Sequence, residues 1–220
     1  MRKSVVIFVF LLLVSLSTKS QIINYGLSPQ FNIATQLVKN PEKPEDGTFQ
    51  WNSINTFGVT AFAEIEHVKY LNSLIRLGYS RKGFVDPVQL GIGNNDVEEK
   101  NVKSTFDYLN LDLLGKVHLD KEQINPYLLG GIQASYLLFK DMEEFPDLYT
   151  MSQFPDYETY KKFSVSYMVG AGVEVHKLMS LDFSMNMDFI NPVRTDELRV
   201  RNWVWTAGLN ININKIIEMI

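Results

Sequence analysis

The chain contains no cysteine and only three histidines among its 220 residues. Without cysteine there can be no disulfide framework, thiolate metal site, cysteine nucleophile or lipidated cysteine. The sequence also has no Gly-x-Ser-x-Gly elbow of the kind that presents a catalytic serine. We therefore predict no catalytic residues, no cofactor and no resident metal, and we expect the protein not to be an enzyme.

Basic tracts and long apolar runs are scarce as well. The formal net charge is −4, so nucleic acid is not an expected partner. Beyond residue 21 no stretch reaches the length of a transmembrane helix. The one apolar run, residues 5–16, follows Arg2 and Lys3 and precedes small residues up to Ser20. This layout predicts a secretory signal peptide over residues 1–20.

The remainder of the chain alternates apolar and polar residues with a period of two, which is the period of a β-strand. In segment 181–189 the apolar face carries Leu181, Phe183, Met185, Met187 and Phe189, and the polar face carries Asp182, Ser184, Asn186 and Asp188. Seven segments follow this rule: 25–33, 57–66, 74–80, 108–118, 163–176, 181–189 and 203–214. Segment 126–139 is apolar on both faces and is assigned as the eighth strand by elimination. The pattern predicts an all-β domain over residues 21–214, with a short tail over residues 215–220.

The connections between these segments alternate in length. Long ones cover residues 37–53, 84–103, 140–162 and 191–202, and short ones cover 67–72, 120–125 and 176–179. Such alternation is typical of an outer-membrane barrel with short periplasmic turns and longer external loops. We therefore predict an eight-stranded antiparallel up-and-down β-barrel in the outer membrane, with lipid around it and both termini in the periplasm.

The two faces of each strand allow two orientations. Glycine, serine, threonine and asparagine fill the polar faces, and small polar residues suit the crowded lumen of an eight-stranded barrel. The apolar faces then contact lipid. The alternative is a soluble periplasmic barrel that binds a lipid, with its apolar faces inside. Aromatic rings near the long connections predict a girdle at one membrane interface, formed by Phe57, Tyr79, Phe106, Tyr136, Phe163, Phe189 and Trp203.

Charged residues occur on the predicted lumen faces, where they need partners. We predict a structural network in which Arg76 and Lys116 neutralise carboxylates. Its members are Glu64, Glu66, Arg76, Asp112, Lys116, His118, Glu174, His176, Asp182 and Asp188. A lumen filled in this way argues against a small pore, which stays an alternative. A metal site made by His118 and His176 with Glu64 or Glu174 is a weaker alternative, because no His-x-x-x-His spacing supports it.

The connection 140–162 mixes aromatic and acidic residues, a composition suited to protein contact. It predicts a partner loop containing Phe145, Tyr149, Phe154, Tyr157 and Tyr160. Other envelope or secretion proteins are the expected partners. The alternative is a loop that folds over the barrel mouth and packs on itself.

Several segments also share a rhythm of glycines, aromatics and alternation. They are FGVTAFAEIE (57–66), LIRLGYSRKGF (74–84), YLNLDLLGKV (108–117), NPYLLGGIQASYLL (125–138), YMVGAGVEV (167–175) and LDFSMNMDF (181–189). In this order they resemble the outer-membrane β-barrel domain family of Bacteroidota, the PorT-like proteins. The resemblance implies an eight-stranded outer-membrane barrel. Because the name-giving member is associated with protein secretion, it also implies a structural or interaction component accessory to a secretion or envelope complex.

Overall fold

A computed structural model describes residues 21–39, 48–92, 96–119, 125–142, 160–193 and 199–220, without the side chains of residues 48–49, 86–100 and 142. The predicted signal peptide, residues 1–20, lies outside the described residues. In the part of the chain that is described, no helix is long and apolar enough to cross a membrane.

The described chain forms nine strands and one short helix. They are β1 (Gln21–Lys39), β2 (Thr48–Gln50), β3 (Ile54–Val68), β4 (Leu71–Ile92), β5 (Asp96–His118), β6 (Asn125–Met142), β7 (Phe163–His176), β8 (Met179–Asp188), β9 (Arg199–Asn212) and helix α1 (Ile213–Ile217). Apart from the three-residue β2, each strand pairs antiparallel with its neighbour in the chain, and β1 pairs with β9. This closure confirms the predicted eight-stranded antiparallel barrel.

The start of β1 and the end of β9 lie at the same end of the barrel as the short turns. Gln21 pairs with Glu66 near the turn that joins β3 to β4, and Gly26 pairs with Asn212. Helix α1 follows β9 directly, so the predicted tail begins inside a helical turn. Asn214 holds this turn to β1, because its side chain accepts a hydrogen bond from the Tyr25 amide and donates one to the Ile23 carbonyl.

One predicted connection is largely β-structure. The segment 84–103 was expected to be a long loop, but β4 and β5 remain paired as far as Ile92 and Asp96. Each of these two strands satisfies the backbone donors and acceptors of the other, so the ladder continues after the neighbouring strands have ended. The predicted long connection at 84–103 is therefore a two-stranded extension of β4 and β5 beyond the barrel wall.

Burial decides which face is inside. Along β8, buried and exposed residues alternate: Asp182 and Asn186 are buried, whereas Leu181 and Phe183 are 49% and 56% exposed. The other strands follow the same rule, so apolar side chains face outward. Most of the buried side chains in the lumen are polar, with a smaller apolar cluster around Phe62, Leu74 and Leu114. The alternative of a soluble lipid-binding barrel is wrong, because it requires the apolar faces to point inward.

Candidate functional site

A group of charges closes the lumen at the short-turn end. The Lys116 ammonium lies 2.9 Å from a Glu64 carboxylate oxygen and 2.7 Å from a Glu174 oxygen. Asn72 donates to Glu64 at 2.6 Å, and Asn125 donates to Glu174 at 2.9 Å. Strands β3, β5 and β7 supply the three charged residues, so one buried cation ties together three separate parts of the wall.

The same place holds the only set of metal-ligand side chains found among the described residues. One ligand atom each from Glu64, His118 and Glu174 lies within 4.8 Å of the others. The Lys116 ammonium already contacts both carboxylates, and a second cation beside it would be repelled. The chain itself thus provides the positive charge that this ligand set would otherwise take from a metal.

His176, a member of the alternative metal set and of the predicted charge network, lies elsewhere. It is exposed at the turn between β7 and β8, and its ring Nδ1 accepts a hydrogen bond from the Leu178 amide. His176 is therefore not part of the buried charge network: the register of β7 and β8 shifts between Glu174 and His176, and the His176 side chain is exposed at the rim. Glu66 lies half-buried opposite Asn72 on β4, near the same rim.

Further into the barrel, an ion pair crosses the lumen. The Arg76 guanidinium donates to the carboxylate of Asp182. The same carboxylate accepts a hydrogen bond from the Tyr127 hydroxyl and another, at 2.8 Å, from Asn210. Four strands of the barrel meet at this one buried carboxylate, which therefore fixes their spacing.

A second polar layer surrounds Lys82, a residue that the predicted network omits. Its side chain is buried, and the ammonium donates to Gln133 at 2.9 Å. Gln133 donates in turn to Asp112 at 2.9 Å. The Lys82 ammonium also lies 5.0 Å from the ring centroid of Tyr108. Lys82 lies six residues after Arg76 on β4, so both side chains face inward. That period of two in the sequence was the signal that could have identified Lys82 as a member of the network.

Asp188 belongs to the same level of the lumen but bonds to neutral groups. Its carboxylate accepts hydrogen bonds from Ser166 at 2.8 Å and from the side chain of Asn202 at 2.6 Å. Hydrogen-bond donors at this depth therefore serve in place of a direct ion pair.

Aromatic rings close the opposite end of the lumen. The ring centroids of Trp51 and Phe84 lie 4.0 Å apart, and those of Phe106 and Tyr160 lie 4.7 Å apart. The cluster, here called the aromatic cap, consists of Trp51, Phe84, Phe106, Tyr108, Leu137, Tyr160, Val193 and Val200. It covers the polar layer around Lys82 and separates that layer from the outside.

Phe106 corrects the predicted girdle. Its side chain is 0% exposed and packs in the aromatic cap. Phe106 lies two residues before the inward-facing Tyr108 on β5, so both side chains point to the same face. The other predicted girdle residues, Phe57, Tyr79, Tyr136, Phe163, Phe189 and Trp203, are exposed or half-exposed on the outer face.

Tyr160 also differs from its predicted role as a partner contact. It is 5% exposed, its hydroxyl donates to Gln36 at 3.2 Å, and its backbone forms a β-bridge with Val193. The position of Tyr160 therefore agrees with the alternative, a connection that packs over the barrel mouth. The other four predicted contacts, Phe145, Tyr149, Phe154 and Tyr157, lie outside the described residues.

The model of the outer membrane protein beta-barrel domain family matches residues 6–214. The chain belongs to this family. Membership places it among outer-membrane barrels, with lipid around its apolar belt.

Three solved structures illustrate the likeness, each at low sequence identity. The attachment invasion locus protein Ail of Yersinia pestis, in complex with the heparin analogue sucrose octasulfate, is 17% identical; the match covers 85% of this chain and 99% of that one, with a TM-score of 0.39. Neisserial surface protein A is 13% identical over 88% of this chain and 98% of that one, with a TM-score of 0.43. OprG from Pseudomonas aeruginosa is 10% identical over 86% and 96%, with a TM-score of 0.45. No curated protein matches the chain.

Proposed function

We propose that this protein is a non-enzymatic structural or interaction component of the outer membrane, accessory to a secretion or envelope complex. The observation that carries the proposal is the filled lumen. At mid-lumen, between Arg76 and Lys82, the cavity measures about 10 Å³, which is no more than the space of one water molecule. A barrel with so little space at this level of the described lumen has its outer surface and its loops available for function.

The ribbon formed by β4 and β5 supports an interaction role. Pairing of β4 with β3 stops at Ser80, a single bridge joins Val85 to Asn52, and pairing of β5 with β6 starts at Ser104. Within the described chain, residues 86–92 and 96–102 therefore pair only with each other. A two-stranded ribbon of this kind can accept an extended segment of another protein along its edge.

The finer identity as a PorT-like protein rests on the sequence rhythm of segments 57–66, 74–84 and 167–175. In the orientation that we propose, the short turns and both termini lie in the periplasm, and the β4–β5 ribbon projects outside the cell. The ribbon would then meet its partner at the cell surface.

The first test is fractionation of tagged protein, followed by gel mobility with and without boiling. We expect the protein in the outer-membrane fraction, with different mobilities of the unheated and boiled forms. In planar bilayers the purified barrel should show no stepwise conductance. Stable channel openings would contradict the structural role and favour the pore.

The interaction role is tested by chemical crosslinking in intact cells. One variant replaces residues 87–101 with an Asn-Gly turn, and a matched variant shortens residues 143–159. Loss of a crosslinked species in the first variant alone supports the ribbon as the contact. If neither deletion changes the crosslinking pattern while both variants fold, the proposed interaction role fails.

A further inference from the structure

An apolar groove crosses the outer face of the barrel where its first and last strands meet. It has a volume of about 790 Å³ and is lined by residues from β7, β8, β9 and β1. These four strands are consecutive in the closed sheet. The groove therefore lies on the wall of the barrel and opens sideways.

Large and small side chains alternate across this wall. Ala171 pairs with Phe183, Phe183 pairs with Ala207, and Ala207 pairs with Phe31, so that these residues form one row. Phe31 and Phe183 are 50% and 56% exposed, and they stand on either side of Ala207. The alanine forms a floor between two aromatic walls.

The wall at Phe183 is supported by a contact with β9, the strand that also carries Ala207. Its ring stacks on Trp205, with centroids 5.4 Å apart and an angle of 20° between the planes. Gly172 and Gly208 also line the groove. The remaining lining residues that face outward, Pro29, Val173, Leu181 and Leu209, are apolar.

The position and chemistry of the groove identify its occupant. On each side it is continuous with the apolar outer surface, which faces lipid in an outer-membrane barrel, and Ile33 and Val169 are exposed beside it. A chain molecule lying between two rings gains dispersion contacts from several sides at once, whereas lipid on a convex surface gains them from one. Small residues permit that close approach.

We infer that the groove binds one acyl chain of a glycerophospholipid and retains it when surrounding lipid is removed. Leu181 lies two residues after β8 begins, and Leu209 lies three residues before β9 ends, so the groove is close to the short turns. In the proposed orientation this end faces the periplasm, and the bound lipid belongs to the periplasmic leaflet. The assignment to this leaflet rests on the orientation in the proposed function, whereas the retention of an acyl chain depends only on the groove.

The test compares two alanines on the outer face. Ala207→Phe fills the floor of the groove, while Ala61→Phe places the same ring on β3, between Leu27 and Leu77. Each protein is extracted from outer membranes in mild detergent and exchanged into lipid-free detergent. Native mass spectrometry then counts the lipids that remain, and gel mobility before and after boiling verifies that each variant is folded.

We expect one phospholipid per barrel in the wild type and in Ala61→Phe, and at least a tenfold loss of that species in Ala207→Phe. No retained lipid in the wild type, or equal retention in both variants, would overturn the site. Retention of a lipopolysaccharide in place of a phospholipid would overturn the leaflet and the proposed orientation. A dimer that only Ala207→Phe disrupts would assign the groove to a second copy of the chain.

Discussion

Arg76 on β4 donates across the lumen to Asp182 on β8, and these strands lie directly opposite each other in the closed order of eight. In the strand ladder Arg76 is paired with Asp112 on the adjacent β5, yet its guanidinium bonds to the far wall. Only a narrow barrel lets one side chain span the interior. The ion pair is thus a strut that holds opposite walls together.

Removing this strut should destabilise the barrel. Arg76→Ala leaves a buried carboxylate without its charged partner, a change that costs about 3–5 kcal/mol. The measurement is urea-induced unfolding from lipid vesicles, which gives the free energy of unfolding. Arg81→Ala is the control, because its pair with Asp107 is partly exposed and such pairs contribute about 0–1 kcal/mol. Equal losses in the two variants would sink the strut interpretation.

The lysine at the short-turn end is expected to exclude metal. Addition of Zn²⁺ should leave the unfolding midpoint of the wild type unchanged, because Lys116 lies between Glu64 and Glu174. In Lys116→Met, the ligand set of Glu64, His118 and Glu174 loses its internal cation. Zn²⁺ at a hundredfold excess over its Kd should then stabilise that variant by about 2.7 kcal/mol.

The control for this experiment is Lys116→Met combined with His118→Ala. It should lose the zinc effect while keeping the fold, as judged by gel mobility. Zinc stabilisation of the wild type would show that Lys116 does not block the ligand set.

Two phenylalanines that are both predicted girdle residues should differ in how much their replacement by alanine destabilises the barrel. Phe106 is 0% exposed inside the aromatic cap, whereas Phe163 is 53% exposed on the outer wall. Phe106→Ala creates a cavity and should cost about 3–5 kcal/mol. Phe163→Ala leaves no enclosed cavity and should cost less. The free energies of unfolding of both variants are measured in lipid vesicles. A larger loss of stability for Phe163→Ala would contradict the assignment of Phe106 to the inside and Phe163 to the outside.

Two glycines provide a similar contrast. A methyl group at Gly172 would fall on the ring of Tyr127, which bonds to Asp182, whereas one at Gly130 meets no atom within 4 Å. Gly172→Ala should therefore cost about 1–3 kcal/mol through overpacking, and Gly130→Ala should be close to neutral. Similar stabilities of the two variants would mean that Tyr127 moves freely.

The period of two predicted seven of the eight barrel strands and their inward polar faces, whereas segment 126–139, apolar on both faces, was assigned by elimination. Alternation is a local property, and each strand carries it in its own residues, as segment 181–189 does on β8. The same rule extended along β4 also predicts an inward Lys82, and along β5 an inward Phe106. The omission of Lys82 from the network and the assignment of Phe106 to the girdle therefore came from relying on residue type and not on the alternation of faces along the strand.

Partners across the lumen could not be predicted from the sequence. The choice of Asp182 over Asp112 by Arg76 depends on the diameter of the closed barrel, which no single strand encodes. The exposure of His176 follows a register shift between β7 and β8 just before it. The β4–β5 ribbon depends on two strands pairing beyond their neighbours, and the groove beside Ala207 depends on the register of four strands.

Sequence alone determined which face each residue takes, because side-chain direction alternates along a strand. Tertiary structure decided which residues meet, because closure sets the distances between strands far apart in the chain.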